Sequence, residues 1–133
     1  MLLGKFKNSK KQGDHALGIA IGWFCAEGLT VSVPLTDSQD YDLVVEWEEK
    51  KLIKVQVKST THKTKFGIYN VGLSVKGGNR TGTGKIKLAK DLDYDYLFVL
   101  CDYDHKYLIP KVDIANIRSG INLGPKYAQY RVS

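Results

Sequence analysis

The sequence is poor in the residues that cross-link or rigidify small folds. It contains two cysteines and three prolines among 133 residues. Cys25 and Cys101 lie far apart, outside any C-x-x-C motif or cysteine–histidine cluster, which argues against structural zinc and a disulfide scaffold. Because both lie in apolar surroundings, we predict that they are reduced and buried in the core.

Long apolar runs are also missing. The longest uncharged apolar stretch, residues 16–26, has eleven residues including two glycines, whereas a membrane-spanning helix needs about 20. The basic start of the chain is not followed by the small-residue cleavage site of a secretory signal. We therefore expect a soluble, cytoplasmic protein with no membrane partner.

Acidic residues are absent from a long central block. Residues 50–90 hold eleven lysines and arginines and no aspartate or glutamate, whereas most acids lie in 37–49 and 91–113. The whole chain carries a net charge of +6 and has a pI near 9.2. This distribution is typical of a protein with a polyanion partner, most often nucleic acid. The alternative is a solvated basic face on an unrelated domain.

The composition is that of a globular protein, with 43% apolar and 26% charged residues. The length predicts a single domain over residues 1–133, with residues 1–9 as a mobile basic arm.

Hydrophobic periodicity predicts one helix followed by a series of strands. The helix covers residues 12–27, with Asp14 as its cap or in its first turn, and Gly18 and Gly22 would let another element approach closely. The predicted strands are 29–34, 41–47, 52–60, 66–75, 94–101 and 106–110, and a short helix follows at 113–119. This order predicts an α+β or mixed α/β fold with a central sheet.

Three polar side chains stand out on the second and third predicted strands. Gln56 and Lys58 are two residues apart, so they share one face of their strand. A hairpin closed by the charged turn 48–51 can bring Asp42 beside them. A carboxylate and an amide oxygen are suitable ligands for Mg²⁺, and an adjacent lysine can hold a water molecule or stabilise a phosphate in its transition state. The alternative is a solvent-facing strand whose polar side includes Lys54.

Asp42 with Gln56, Val57 and Lys58 resembles the PD-(D/E)-x-K nuclease signature, with glutamine in the second acidic place. A longer ordered set resembles the group I intron-encoded homing endonucleases of that superfamily, over about residues 12–110. The segments that carry this resemblance are 13–14, 34–44 (PLTDSQDYDLV), 55–58 (VQVK), 95–99 (DYLFV) and 107–110 (YLIP).

The resemblance implies a restriction-endonuclease-like core, a central mixed sheet flanked by helices, and Mg²⁺-dependent cleavage of double-stranded DNA. Asp42, the side-chain oxygen of Gln56 and the carbonyl of Val57 would bind the metal, and Lys58 would serve the attacking water. Mn²⁺ would substitute for Mg²⁺, and Ca²⁺ would bind without cleavage. Replacing the usual glutamate by Gln56 removes one negative charge, which should lower metal affinity.

Many relatives add an acid from the first helix. Asp14 is the candidate here, although Leu17 lies where some relatives place glutamate. Asp37 and Asp40 are candidates for outer-shell groups, with loop capping as the alternative.

Basic residues after the third strand are the predicted DNA contacts. The glycine-rich segment 76–85 does not match the phosphate-loop pattern, so we interpret it as a loop that contacts DNA, or else as a surface loop without a role. Arg80 is the best candidate for reading a guanine. The full predicted set is Lys63, Lys65, Lys76, Asn79, Arg80 and Lys85.

The sequence thus predicts a sequence-specific homing endonuclease. One active site cuts one strand, so a double-strand break requires a homo-oligomer, a dimer or a tetramer. The alternatives are a Holliday-junction resolvase of the same superfamily, a non-catalytic DNA-binding module whose site has decayed, as Gln56 would allow, and a generic basic domain.

Overall fold

A five-stranded mixed sheet with one long helix on it forms the centre of the fold. The computed structural model describes residues 1–73, 75–76 and 86–133. The elements are α1 (Ser9–Ala26), β1 (Thr30–Ser32), β2 (Leu43–Glu46), β3 (Leu52–Ser59), β4 (Asn70–Gly72), β5 (Val75–Lys76), β6 (Ile86–Lys87), β7 (Tyr96–Leu100), β8 (Lys106–Pro110) and β9 (Gly120–Asn122). The sheet has the order β1-β2-β3-β7-β8, with β3 and β7 parallel and the other pairs antiparallel. The predicted mixed α/β architecture is confirmed.

Helix α1 begins earlier than predicted. The side chain of Asn8 accepts a hydrogen bond from the backbone N–H of Lys11 at 2.9 Å and caps the helix. The prediction of Asp14 as the cap or in the first turn is wrong, because the helix already runs through Ser9 and places Asp14 in the second turn. The helix stops before Gly28, whose φ of 82° suits a glycine.

Only one side of α1 is buried. Ala16, Ala20 and Phe24, each four residues apart, are buried against the sheet. The other side faces outward, so Cys25 is exposed and the prediction that it is buried is wrong. The prediction that another element approaches Gly18 and Gly22 closely is wrong, because no atom of another element in the described residues lies within 4 Å of a Cβ added at either position. Among the described residues, no helix combines the length and apolar character needed to cross a bilayer.

Apolar clusters cover both faces of the sheet. One cluster packs α1 against side chains such as Leu43, Val55 and Phe98. The other lies on the opposite face and includes Leu97 and Val99. Successive side chains of β7 thus pack into the two clusters in turn, so both faces of this strand are buried. This burial explains why its sequence is a continuous apolar run rather than an alternating one. Cys101 is buried in the second cluster, as predicted.

Two predicted elements differ from the structure. The predicted strand 66–75 does not continue the central sheet, because β4 pairs with β9 in a separate two-stranded ladder. The predicted helix 113–119 is absent: a single 3-10 turn, Lys111–Asp113, is followed by turns and bends that lead into β9.

The predicted basic arm, residues 1–9, is held against the fold. Leu3 is buried, and its backbone N–H donates to Oδ1 of Asp102 at 2.7 Å. The hydroxyl of Tyr69 donates to the other oxygen of the same carboxylate at 3.1 Å. The backbone N–H of Tyr103 donates to the carbonyl of Met1 at 2.7 Å. The start of the chain is therefore attached to the turn between β7 and β8.

Candidate active site

Asp42 is fixed to the strand that carries the other candidate residues. It lies just before β2, and its backbone N–H donates to the carbonyl of Val55 at 2.8 Å. Its carboxylate oxygen Oδ2 accepts a hydrogen bond from the backbone N–H of Val57 at 2.7 Å. Asp42 directly precedes Leu43, which pairs with Val55 at the end of the β2–β3 ladder. The first bond fixes the backbone of Asp42 and the second orients its carboxylate, and neither involves Gln56 or Lys58.

Gln56 and Lys58 lie on the half of β3 that extends beyond β2. Strand β2 pairs only with the first half of β3, whereas residues 56–59 pair with β7 alone. Within that parallel ladder, Gln56 is in register with Leu97 and Lys58 with Val99. Val55 and Val57 instead pack in the cluster on the α1 side. The expected alternation of faces along β3 is therefore present.

The charges of Asp42 and Lys58 are partly removed from water. Burial raises the pKa of Asp42 above its usual value, against the opposing effects of the Val57 N–H and the Lys58 charge. Burial likewise lowers the pKa of Lys58, and the negative charge of Asp42 opposes this shift. In both residues desolvation is the largest cause. A cation beside Asp42 would therefore act in a medium that screens its charge less than bulk water does.

The side-chain oxygen of Gln56 is buried without a hydrogen-bond partner among the described residues. Such an unpaired acceptor costs on the order of 1–3 kcal/mol. A hard divalent cation would satisfy it, because amide and carboxylate oxygens are the ligands that Mg²⁺ takes. No group of three or more histidine, cysteine, aspartate or glutamate residues is placed to bind a metal in the described ranges. A cation here would need an amide, a backbone carbonyl, water or a phosphate to complete its ligand shell.

Helix α1 adds a further carboxylate to the surroundings of Asp42. A surface cavity of about 410 Å³ is lined by Lys10, Gly13, Asp14, Leu17, Asp42 and Val57. Asp14 therefore opens onto the same cavity as Asp42, although it lies outside the first turn.

The two loop aspartates differ in their contacts. Asp37 lines a smaller adjoining cavity of about 200 Å³ together with Asp42. Asp40 points elsewhere, because its Oδ2 accepts a hydrogen bond from the backbone N–H of Asp93 at 2.8 Å. Asp40 thus joins two loops.

The predicted DNA contacts are only partly described. Lys63 and Lys65 are exposed after β3, with their ammonium groups 4.9 Å from the Tyr69 ring centre and 5.1 Å from that of Phe66. The backbone of Lys76 belongs to β5. Asn79, Arg80 and Lys85 lie outside the described residues.

Sequence reasoning missed Gln12. Its Nε2 donates to the hydroxyl of Ser59 at 2.8 Å, and both residues line a cavity of about 380 Å³ that Lys58 also lines. The contact joins residues 47 positions apart. No periodicity or local motif connects residues at that distance.

Comparison with known proteins agrees with this geometry. The model of the PD-(D/E)XK endonuclease family matches residues 7–130. The bacterial homing endonuclease I-Ssp6803I is 27% identical and superposes with a TM-score of 0.74, over 93% of this chain and 88% of that chain.

Hjc, a Holliday junction resolvase from the archaeal hyperthermophile Archaeoglobus fulgidus, is 10% identical with a TM-score of 0.58, over 92% of this chain and 91% of that chain. At that identity the likeness concerns the fold alone. No curated protein shows significant sequence similarity. Because the family model matches nearly the whole sequence, the chain belongs to the PD-(D/E)XK endonuclease family.

Proposed function

We propose that this protein is a divalent-metal-dependent DNA endonuclease and, more specifically, a homing endonuclease that makes a double-strand break at a defined site. The observation that carries the proposal is the buried oxygen of Gln56, which has no hydrogen-bond partner among the described residues, on the strand whose Val57 N–H orients the Asp42 carboxylate. The likeness to I-Ssp6803I over most of both chains supports the homing role.

Each residue of the site has a defined task in this proposal. Asp42, the Gln56 oxygen and the Val57 carbonyl would hold the metal, which is Mg²⁺ in the cell, with Mn²⁺ as a substitute and Ca²⁺ as a non-cleaving analogue. When bound, the metal stabilises negative charge on the phosphate and lowers the pKa of a coordinated water. Lys58 holds the attacking water and stabilises the transition-state charge. The Val57 N–H keeps the Asp42 carboxylate oriented.

Asp14 is proposed as an auxiliary acid at the same cavity. It compensates in part for the charge that Gln56 lacks. Because it is exposed, it can exchange between water and the metal shell more freely than Asp42.

The DNA surface follows the basic block. Lys63 and Lys65 are the described members, and the proposed set continues with Lys76, Asn79, Arg80 and Lys85. Eleven basic residues without an acid over 50–90 provide the positive potential that attracts a DNA backbone. We further propose that residues 1–133 act as one domain and assemble as a dimer or tetramer, so that two sites reach the two strands.

The primary test is cleavage of a randomised duplex library with Mg²⁺, followed by sequencing of the cut ends. A homing endonuclease yields one long recurrent site. The Asp42→Asn variant should lose at least about a thousandfold in cleavage rate, while Glu46→Gln, which changes an exposed acid on the neighbouring strand β2, should keep the wild-type rate. Equal rates for Asp42→Asn and wild type would contradict the assignment of this site.

The resolvase alternative is supported by the fold shared with Hjc. A four-way DNA junction and a linear duplex that contains the selected site should be offered in the same assay. Preferential cutting of the junction without regard to sequence would establish the resolvase. Tight DNA binding without cleavage in Mg²⁺ or Mn²⁺ would indicate the non-catalytic module.

A further inference from the structure

Lys58 lines a second cavity, whose lining residues are rich in hydrogen-bond donors. It has a volume of about 380 Å³, and the described residues that line it offer hydroxyl, amide, imidazole and ammonium groups but no carboxylate. The residues that line it are Ser9, Gln12, Lys58, Ser59, Thr60, Thr61, His62, Asn70, Val71 and Gly72. The cavity at Asp42 contains two acids and suits a cation, whereas this composition suits an anion.

The backbone of the loop that carries His62 is held in place by hydrogen bonds to the buried residue Thr60 and to Asn70. Thr60 is only 5% exposed; its hydroxyl donates to the carbonyl of Asn70 at 2.5 Å and accepts from the backbone N–H of His62 at 3.2 Å. The backbone N–H of Asn70 donates in return to the carbonyl of His62 at 2.9 Å. These three bonds close the chain after β3 onto β4, so this wall of the cavity exists before any ligand arrives.

Gln12 connects α1 to the same cavity. Its Nε2 donates to the Ser59 hydroxyl at 2.8 Å. A serine hydroxyl that accepts one bond still has its own hydrogen to donate. Ser59 follows Lys58 directly on β3, so the Gln12 contact also sets the distance between the helix and the catalytic end of that strand.

Different residues of helix α1 line the two cavities. Gln12 lines the acid-free cavity, whereas the next two residues, Gly13 and Asp14, line the cavity at Asp42. Lys58 lines the former and is close enough to Asp42 for the charge of each to shift the pKa of the other. Because residues 12 and 13 of one helix line different cavities, a cation in one and an anion in the other would be held by neighbouring parts of the protein.

We propose that the acid-free cavity binds the DNA backbone phosphate next to the scissile one. Ser59 and His62 donate to that phosphate, and Gln12 is a positioning residue that holds Ser59. The identity of the anion as DNA rests on the proposed function, whereas the existence of the anion site does not.

The direct test uses thymidine 3′,5′-bisphosphate in EDTA, followed by NMR shifts of the backbone amides. We expect saturable shifts at Ser59, Thr61 and His62. Ser59→Ala and His62→Ala should each raise the dissociation constant of the bisphosphate about tenfold, as expected for the loss of a hydrogen bond to a charged group. Ser119→Ala, which changes an exposed serine outside this cavity, is the matched control.

Gln12→Glu separates phosphate binding from a structural role. A glutamate can still accept a hydrogen bond from the Ser59 hydroxyl, but its charge repels a phosphate. We therefore expect the bisphosphate affinity to fall further in Gln12→Glu than in Gln12→Leu. A purely structural role predicts the reverse order and would overturn the assignment.

The cleavage assay keeps this inference distinct from the proposed function. In Gln12→Leu the DNA concentration for half-maximal cleavage should rise at least about fivefold, and this rise should exceed the loss in kcat. If wild type never cuts DNA but the bisphosphate shifts the cavity residues, the nuclease proposal fails and the anion site stands. If wild type cuts and the shifts spread over exposed lysines instead, only the anion site fails.

Discussion

At the scale of single residues, the proposed metal site carries little negative charge. The backbone N–H of Val57 orients the Asp42 carboxylate, Gln56 would contribute a neutral oxygen, and Asp14 is exposed on the helix. Metal binding in such a site should depend strongly on each added or removed charge.

Gln56→Glu should bind Ca²⁺ at least about tenfold more tightly than wild type, because a second negative charge lies within a few ångströms of the cation. Isothermal titration in the absence of DNA measures this directly. Gln129→Glu adds the same charge at an exposed position and should leave the affinity unchanged. Equal affinities for all three proteins would show that residue 56 does not bind the metal.

The raised pKa of Asp42 has a consequence for stability. A folded-state pKa above the unfolded one means that the charged carboxylate destabilises the folded state, and that acidification relieves this cost. Asp42→Asn should therefore melt at a higher temperature than wild type at neutral pH. The difference should shrink as the pH falls through the folded pKa toward about 4, near the value of an unperturbed aspartate.

Thermal melts followed by circular dichroism at both pH values provide the measurement. A variant that melts lower than wild type at neutral pH would contradict the shift. The comparison is independent of any cleavage assay.

The two cysteines should differ in reactivity. Cys25 is exposed, whereas Cys101 is buried and its pKa is raised to about 12, chiefly by that burial. A maleimide should label one thiol in the folded protein and two after denaturation, as counted by mass spectrometry. Cys25→Ser should remove the folded-state labelling, and Cys101→Ser should not.

Periodicity correctly predicted that Gln56 and Lys58 lie on the face of β3 opposite to Val55 and Val57. This alternation has a period of two residues and depends only on the strand itself. It could not predict the exposure of Cys25. An 18-residue helix on one sheet face buries a single stripe, and the sequence of α1 is apolar beyond that stripe.

At the scale of elements, local patterns predicted what local forces determine. The bounds of β8 match the predicted strand 106–110, and the charged turn 48–51 closes the hairpin of β2 and β3 as expected. The strand 66–75 was predicted to join the central sheet, but β4 pairs with β9, a segment far downstream. That partner is selected by packing between distant parts of the chain, which no local pattern encodes.

The β4–β9 ladder depends on one glycine. A Cβ at Gly120 would lie 2.7 Å from the carbonyl oxygen of Val71, whereas one at Gly72, its partner in the ladder, would meet nothing within 4 Å. Gly120→Ala should lower the free energy of unfolding by about 1–3 kcal/mol, the usual cost of overpacking. Gly72→Ala should have little effect in the same urea titration, and equal losses in the two variants would argue against this close approach.

At the scale of the whole molecule, the proposed function requires more than one chain. Two sites acting together should convert a supercoiled plasmid that contains the target directly to the linear form. A lone chain should accumulate the nicked circle first. The product distribution over time, compared with the molar mass from light scattering, tests the proposed homo-oligomer.

The placement of β3 decides when the protein can begin to cut. All the proposed catalytic residues come before position 60, yet Gln56 and Lys58 lie on the half of β3 whose only ladder partner is β7, Tyr96–Leu100. A ribosome must therefore release the chain beyond residue 100 before this half of β3 can form its ladder with β7. An incomplete translation product that stops earlier would carry every proposed catalytic side chain but lack the strand that supports two of them.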